Sequence, residues 1–192
     1  MKSKKITIWS TKGGVGKTSI CAELHFRLGW PVVTNERRSM LRFLVDEKKL
    51  KLLDPKESIP NIKGDMLFDF GGYIDERVIS AVKQSDYIII PTLYEIPDIQ
   101  GCIDTINSVK DYNKNIIVII NKISSSNLLQ FANETLSKID GLQIKNLNQS
   151  RAFPNIYKYK NGILDIVKDN PLLKFSYRKI LKQFDDIMNI LQ

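Results

Sequence analysis

Short, almost wholly apolar runs alternate along this chain with longer stretches whose apolar residues recur every three to four positions. The runs are Ile6 to Ser10, Val32 to Thr34, Met66 to Phe70, Tyr87 to Pro91, Ile116 to Asn121 and Leu142 to Leu147. Most are continuously apolar rather than alternating, which marks strands with no face in water, as in a parallel sheet covered on both sides. Between them, Ser19 to Leu28 sets Ile20, Cys21, Leu24 and Leu28 on one helical face, and Asp75 to Gln84, Asp98 to Tyr112 and Asn127 to Ile139 repeat comparable spacing. The chain is predicted to turn helical again after Asn161 and Gly162. Pro171 marks a turn, and Phe175 to Leu191 carries a stripe of Ile180, Leu181, Phe184, Ile187, Met188 and Leu191. The alternation predicts an α/β fold, a mostly parallel twisted sheet with helices on both faces. The stretch 37–64, polar, charged and carrying Pro55 and Pro60, yields no secure element.

The 192 residues are expected to form one domain over 1–192, and 43% hydrophobic with 26% charged residues lies in the range of chains that fold alone. No apolar run approaches the roughly 18 residues needed to cross a bilayer. Lys2, Lys4 and Lys5 imitate the start of a signal peptide, but only Ile6 to Trp9 follows before Lys12, so the expected location is cytoplasmic. Cys21 and Cys102 are expected to be reduced core thiols, and a lone His25 speaks against a histidine triad or zinc site. The net charge of +8 is uneven. Residues 141–192 hold nine Lys or Arg against four Asp or Glu, which is +5 of the total, a surface that attracts polyanions.

Chemistry concentrates directly after the first predicted strand, where Lys12-Gly13-Gly14-Val15-Gly16-Lys17-Thr18-Ser19 leads into a helix. Closely spaced glycines let successive N–H groups turn inward, and the helix start adds its positive end. Lys17 can then reach β- and γ-phosphates, and the Thr18 hydroxyl can ligate Mg2+. A second element is Asp65 to Gly72, an apolar run that ends in Asp69 and a glycine pair. A third is Asn121-Lys122-Ile123-Ser124, at a strand end where α/β sheets place base-recognition groups. Guanine-reading loops of this kind need an aspartate where Ser124 stands, so ATP is preferred over GTP. Asn121 fits either an adenine contact or a cap at the strand end.

These segments together resemble the ParA/MinD ATPases, whose deviant Walker A loop has its signature lysine where Lys12 sits. The resemblance implies a P-loop NTPase fold and an ATP-bound sandwich homodimer in which Lys12 reaches the partner subunit's nucleotide, as an arginine finger does. It implies a magnesium role for Asp69 through water, γ-phosphate sensing by the Gly72 amide, and binding of nucleotide by Gly13, Gly14, Val15, Gly16, Lys17, Thr18 and Ser19. Ser85 to Pro91 is similar to the family's proline-ended strand. The family's paired acids after the second strand correspond to Thr34-Asn35-Glu36, so the catalytic carboxylate falls to Glu36 and slow hydrolysis is expected.

From Arg151 onward the resemblance extends to the C-terminal region, where ParA-type members bind DNA without sequence preference. It assigns that contact to Arg151, Lys158, Lys160, Arg178, Lys179 and Lys182. The implied protein is a short partition ATPase of plasmid or chromosome, nucleoid-associated and stimulated by a centromere-binding partner. The alternative is a MinD-like membrane switch, less expected because the terminal stripe lies beside Asp185 and Asp186 and suits core packing. A metabolic ligase or reductase on the same fold lacks a substrate motif or paired cysteines here.

Overall fold

A computed structural model describes residues 3–59, 61–124 and 127–191; Met1, Lys2 and Pro60 lie outside them. Seven parallel strands form one sheet: β1 Lys5–Ile8, β2 Val32–Thr34, β3 Leu50–Leu52, β4 Met66–Asp69, β5 Tyr87–Thr92, β6 Ile116–Ile123 and β7 Gln143–Asn148, in the order β3-β2-β4-β1-β5-β6-β7. The helices are α1 Lys17–Leu28, α2 Glu76–Gln84, α3 Ile96–Val109, α4 Asn127–Leu136, α5 Ala152–Tyr159, α6 Ile163–Asp169 and α7 Leu173–Leu191.

Alternate residues of each central strand serve opposite faces, as the pleat requires. Ile6, Ile8, Ile89, Ile117 and Ile119 pack with Ile20 and Leu24 of α1, Ile156 of α5, Ile166 of α6, and Tyr177, Ile180 and Phe184 of α7. Trp9, Phe68, Ile88, Ile90, Val118 and Ile120 pack with Val78 and Val82 of α2, Ile99 and Ile106 of α3, and Leu136 of α4. Burial on both faces is the physical reason for the continuous apolar runs.

The stretch left without elements holds two 3-10 turns, Met40–Phe43 and Glu47–Lys49, and the edge strand β3. Each turn is opened by a side chain that accepts from the backbone two residues on: Ser39 from the Leu41 N–H and Asp46 from the Lys48 N–H. Helix α3 starts two residues before the predicted Asp98, with Pro97 in its first turn, and stops at Val109. Cys21 and Cys102 are buried free thiols, and burial pushes Cys102 up to about 12. Among the described residues no helix is long and apolar enough to cross a membrane.

Candidate functional site

The loop between β1 and α1 stands at the C-terminal edge of the sheet centre. Gly16 caps α1 with φ 100°, and a Cβ there would stand 2.3 Å from Asn121 Nδ2, so this position requires glycine twice over. Helix α1 has no acidic residue in its first turn and no side-chain cap, which leaves its leading N–H groups and positive end available to an anion. Gly13, Gly14, Gly16, Lys17, Thr18, Ser19, Glu36, Gly72 and Lys122 line an open cavity of about 340 Å³. A larger hollow of about 530 Å³ lies between residues 55–59 and α2, but Glu57 and Arg77 there are already paired with Lys51 and Asp75.

The two lysines of the loop diverge, and of the two only Lys17 lines this cavity. Lys17 is 8% exposed and its Nζ donates to Lys12 O at 2.8 Å. Burial lowers its pKa, against the opposing charges of Glu36 and Asp69. Lys12 instead lies along α3 with its Nζ 3.4 Å from Asp98 Oδ1.

Thr18 Oγ1 donates to Asp69 Oδ2 at 3.0 Å, while Asp69 Oδ1 is buried without a hydrogen-bond partner. An orphaned buried carboxylate oxygen beside a threonine hydroxyl is a donor set that fits a magnesium ion bound mainly through water and phosphate. A metal held by protein carboxylates alone does not fit, since the described residues contain no cluster of three or more candidate ligands. Burial, assisted by Glu36, pushes Asp69 up to about 7 against the Thr18 hydrogen bond and the Lys17 charge. In the metal-free protein, between about pH 4 and pH 7, the folded chain therefore keeps a proton that the unfolded chain has released. Stability falls as pH rises through that window, by a few kcal/mol at roughly 1.4 kcal/mol per unit. Asp69→Asn is expected to remove this fall, so melting of the two proteins without nucleotide should diverge in favour of the variant from pH 5 to pH 8. Parallel pH profiles would refute it.

The register Thr34↔Asp69 between β2 and β4 carries Asn35 and Glu36 alongside Phe70 and Gly71. Asn35 Oδ1 accepts from the Gly71 N–H at 2.9 Å, and Trp9 Nε1 donates to Gly71 O at 2.9 Å, so this turn is held from both sides. The Glu36 carboxylate lies against Gly71, where a Cβ would stand 2.9 Å from Glu36 Oε1. A Cβ on Gly72 would meet Thr11 O at 2.6 Å, which keeps that amide close to the loop.

Of the two roles open to Asn121, an adenine contact or a cap at the strand end, the structure shows the bracing of backbone. The residue is 2% exposed, its Nδ2 donates to Val15 O at 2.9 Å and its Oδ1 accepts from the Lys122 N–H at 2.8 Å, so both ends of the amide are engaged. Lys122, at φ 54°, reaches over the loop to donate to Gly14 O at 2.8 Å. Sequence reasoning passed over Lys122, Asn35 and Trp9. The Asn-Lys pair at a strand end was the available signal for the first, and proximity to Glu36 and to the loop for the others.

Ser19 Oγ shares a hydrogen bond of 2.9 Å with Tyr157 OH, which joins the loop helix to α5, and Asn155 Nδ2 donates to Tyr177 OH on α7. Arg151, Lys158, Lys160, Arg178, Lys179 and Lys182 are exposed on or beside these two helices, outside the cavity, and form no ion pair among the described residues.

Residues 6–163 match the model of the CobQ/CobB/MinD/ParA nucleotide-binding domain. No curated protein matches the sequence. Among solved structures, the chain is similar to the septum site-determining protein MinD from Pyrococcus horikoshii OT3 in complex with Mg-ADP, at 17% identity and TM-score 0.69 over 99% of both chains. It is similar to apo McdA from Cyanothece at 13% identity and TM-score 0.67, over 95% of this chain and 99% of the other. A ParA family ATPase from Chlorobium tepidum TLS matches at 16% identity and TM-score 0.62, over 94% and 98%. These likenesses concern the fold.

Proposed function

Because the chain belongs to the CobQ/CobB/MinD/ParA nucleotide-binding family, we propose that it is an ATPase switch of the partition type, which dimerises on ATP and then binds DNA without sequence preference. The observation that carries the nucleotide chemistry is the Thr18–Asp69 pair, with its unpartnered oxygen at the foot of a glycine loop. Magnesium held there would neutralise charge on the terminal phosphates. Lys17 exchanges Lys12 O for phosphate oxygen, the loop amides and the start of α1 cradle the anion, and Glu36 holds the attacking water at its carboxylate. Asn121 and Lys122 keep the loop in shape. Lys12 lies on α3, outside its own cavity, which supports a role toward a second subunit. Stimulation by a centromere-binding partner and residence on the nucleoid follow from this reading.

The DNA face is read from the exposed basic residues on and beside α5 and α7. The terminal apolar stripe is spent on the sheet, since Tyr177, Ile180, Phe184, Ile187 and Leu191 are all buried. One observation favours the membrane-switch alternative: Leu172 and Phe175 are 89% and 87% exposed next to Lys174. Two duplexes of unrelated sequence and anionic vesicles, each with and without ATP, separate the readings. DNA binding is expected only with ATP, equal for both duplexes, with a salt slope of about −0.9 per phosphate contact. Charge reversal at Arg178, Lys179 and Lys182 together should weaken it at least about tenfold while ATP affinity holds, each lost phosphate contact reducing the salt slope. Vesicle binding without salt-sensitive DNA binding would overturn the partition reading.

A further inference from the structure

The lysine that points away from its own cavity is laid down on its own subunit by three features of α3. Its ammonium faces Asp98, whose side chain is only 13% exposed. Its stem crosses Gly101, where an added Cβ would stand 3.1 Å from Lys12 Cγ. The preceding Thr11 is fixed to the same helix: its N–H donates to Thr105 Oγ1 at 3.3 Å, and the two hydroxyls share a hydrogen bond of 2.8 Å. A bare loop lysine has no need of a helix with a side-chain gap under its stem and a carboxylate at its end.

We propose that Asp98 is a positioning residue that holds Lys12 in cis across α3, so that the lysine must leave this contact before it can serve a second subunit. The proposal rests on the reading of Lys12 as a group that acts in trans. Partly shielded ion pairs contribute little each, so the restraint is worth about threefold per subunit. Both subunits of a two-fold dimer must release their lysine, which compounds to about tenfold in the dimer dissociation constant. The restraint is electrostatic at its end and steric along its stem, so it is separable by two different substitutions.

The test is the dimer dissociation constant of the full chain at saturating ATP and magnesium, read by sedimentation. Asp98→Asn removes the charge, and Gly101→Ala lifts the stem while favouring the helix. Each is expected to tighten the dimer, Asp98→Asn by about tenfold at low salt with the gap closing as salt screens the parent's pair. ATP affinity of the monomer should stay within about twofold, because neither residue lines the cavity. Asp98→Glu should behave like the parent, and Asp98→Asn should add nothing on a Lys12→Ala background. If Asp98→Asn and Gly101→Ala leave dimerisation unchanged or weaken it while Lys12→Ala impairs it, the restraint is refuted and the trans reading survives. If Lys12→Ala itself dimerises like the parent, the trans reading falls and the restraint with it.

Discussion

Lys17→Ala should raise the dissociation constant for ATP by roughly a hundredfold or more, which calorimetry with magnesium would read as loss of measurable binding. The reasoning begins with burial. Lys17 is 8% exposed and its pKa is already lowered by desolvation, so much of the cost of stripping water from the ammonium is met before any ligand arrives. Its acceptor in the free loop is a neutral carbonyl, Lys12 O at 2.8 Å. Exchanging that for a phosphate oxygen replaces a neutral acceptor by a charged one in a shielded position, where truncating one partner of a charge pair costs about 2–5 kcal/mol. The fold should survive, because among the described residues the deleted ammonium donates only to a loop carbonyl. Unchanged ATP affinity in a normally folded Lys17→Ala protein would remove the loop from the mechanism.

Glu36→Gln should lower single-turnover hydrolysis by about 10²–10⁴-fold, the usual contribution of a positioned acid or base, while ATP affinity changes only a few-fold. The amide has the size of the carboxylate and keeps the backbone contact of Glu36 N with Thr34 Oγ1, 3.2 Å, so a structural cause is excluded by design. The distinguishing geometry is the contact with Gly71, which places the carboxylate beside the turn that follows Asp69 and on the wall of the same cavity as Thr18. A variant that hydrolyses ATP at the parent rate would show that another group orders the water.

The strands were readable because each central run buries both faces, and so was the phosphate loop, whose residue types and position coincide. The edge strand β3 was not. Its three residues, Leu50, Lys51 and Leu52, are half-buried or exposed and alternate like many loops. Glu36 could be aligned with an acid from sequence, but only the register Thr34↔Asp69 shows where its carboxylate comes to lie. Asn121 illustrates a different limit. The residue type announces a hydrogen-bonding amide at a strand end, whereas the partners that use both its ends, Val15 O and Lys122 N, come partly from a loop 106 residues away. The Lys122 contact with Gly14 depends on a left-handed backbone that no side-chain pattern encodes.

The strand order also sets a timetable for synthesis. β1, made first, ends in the centre of the sheet between β4 and β5, with Ile6 paired to Leu67 and Tyr87. While the chain leaves the ribosome, this apolar strand has two unsatisfied edges until partners some sixty and eighty residues downstream appear, and such long closures are slow. The loop that follows it cannot take its final form even then, since the Asn121 and Lys122 braces arrive with β6 and the Tyr157 contact later still. A nascent chain is thus unable to use nucleotide as a folding aid until β6 has been made, and shielding of β1 falls to chaperones or to speed.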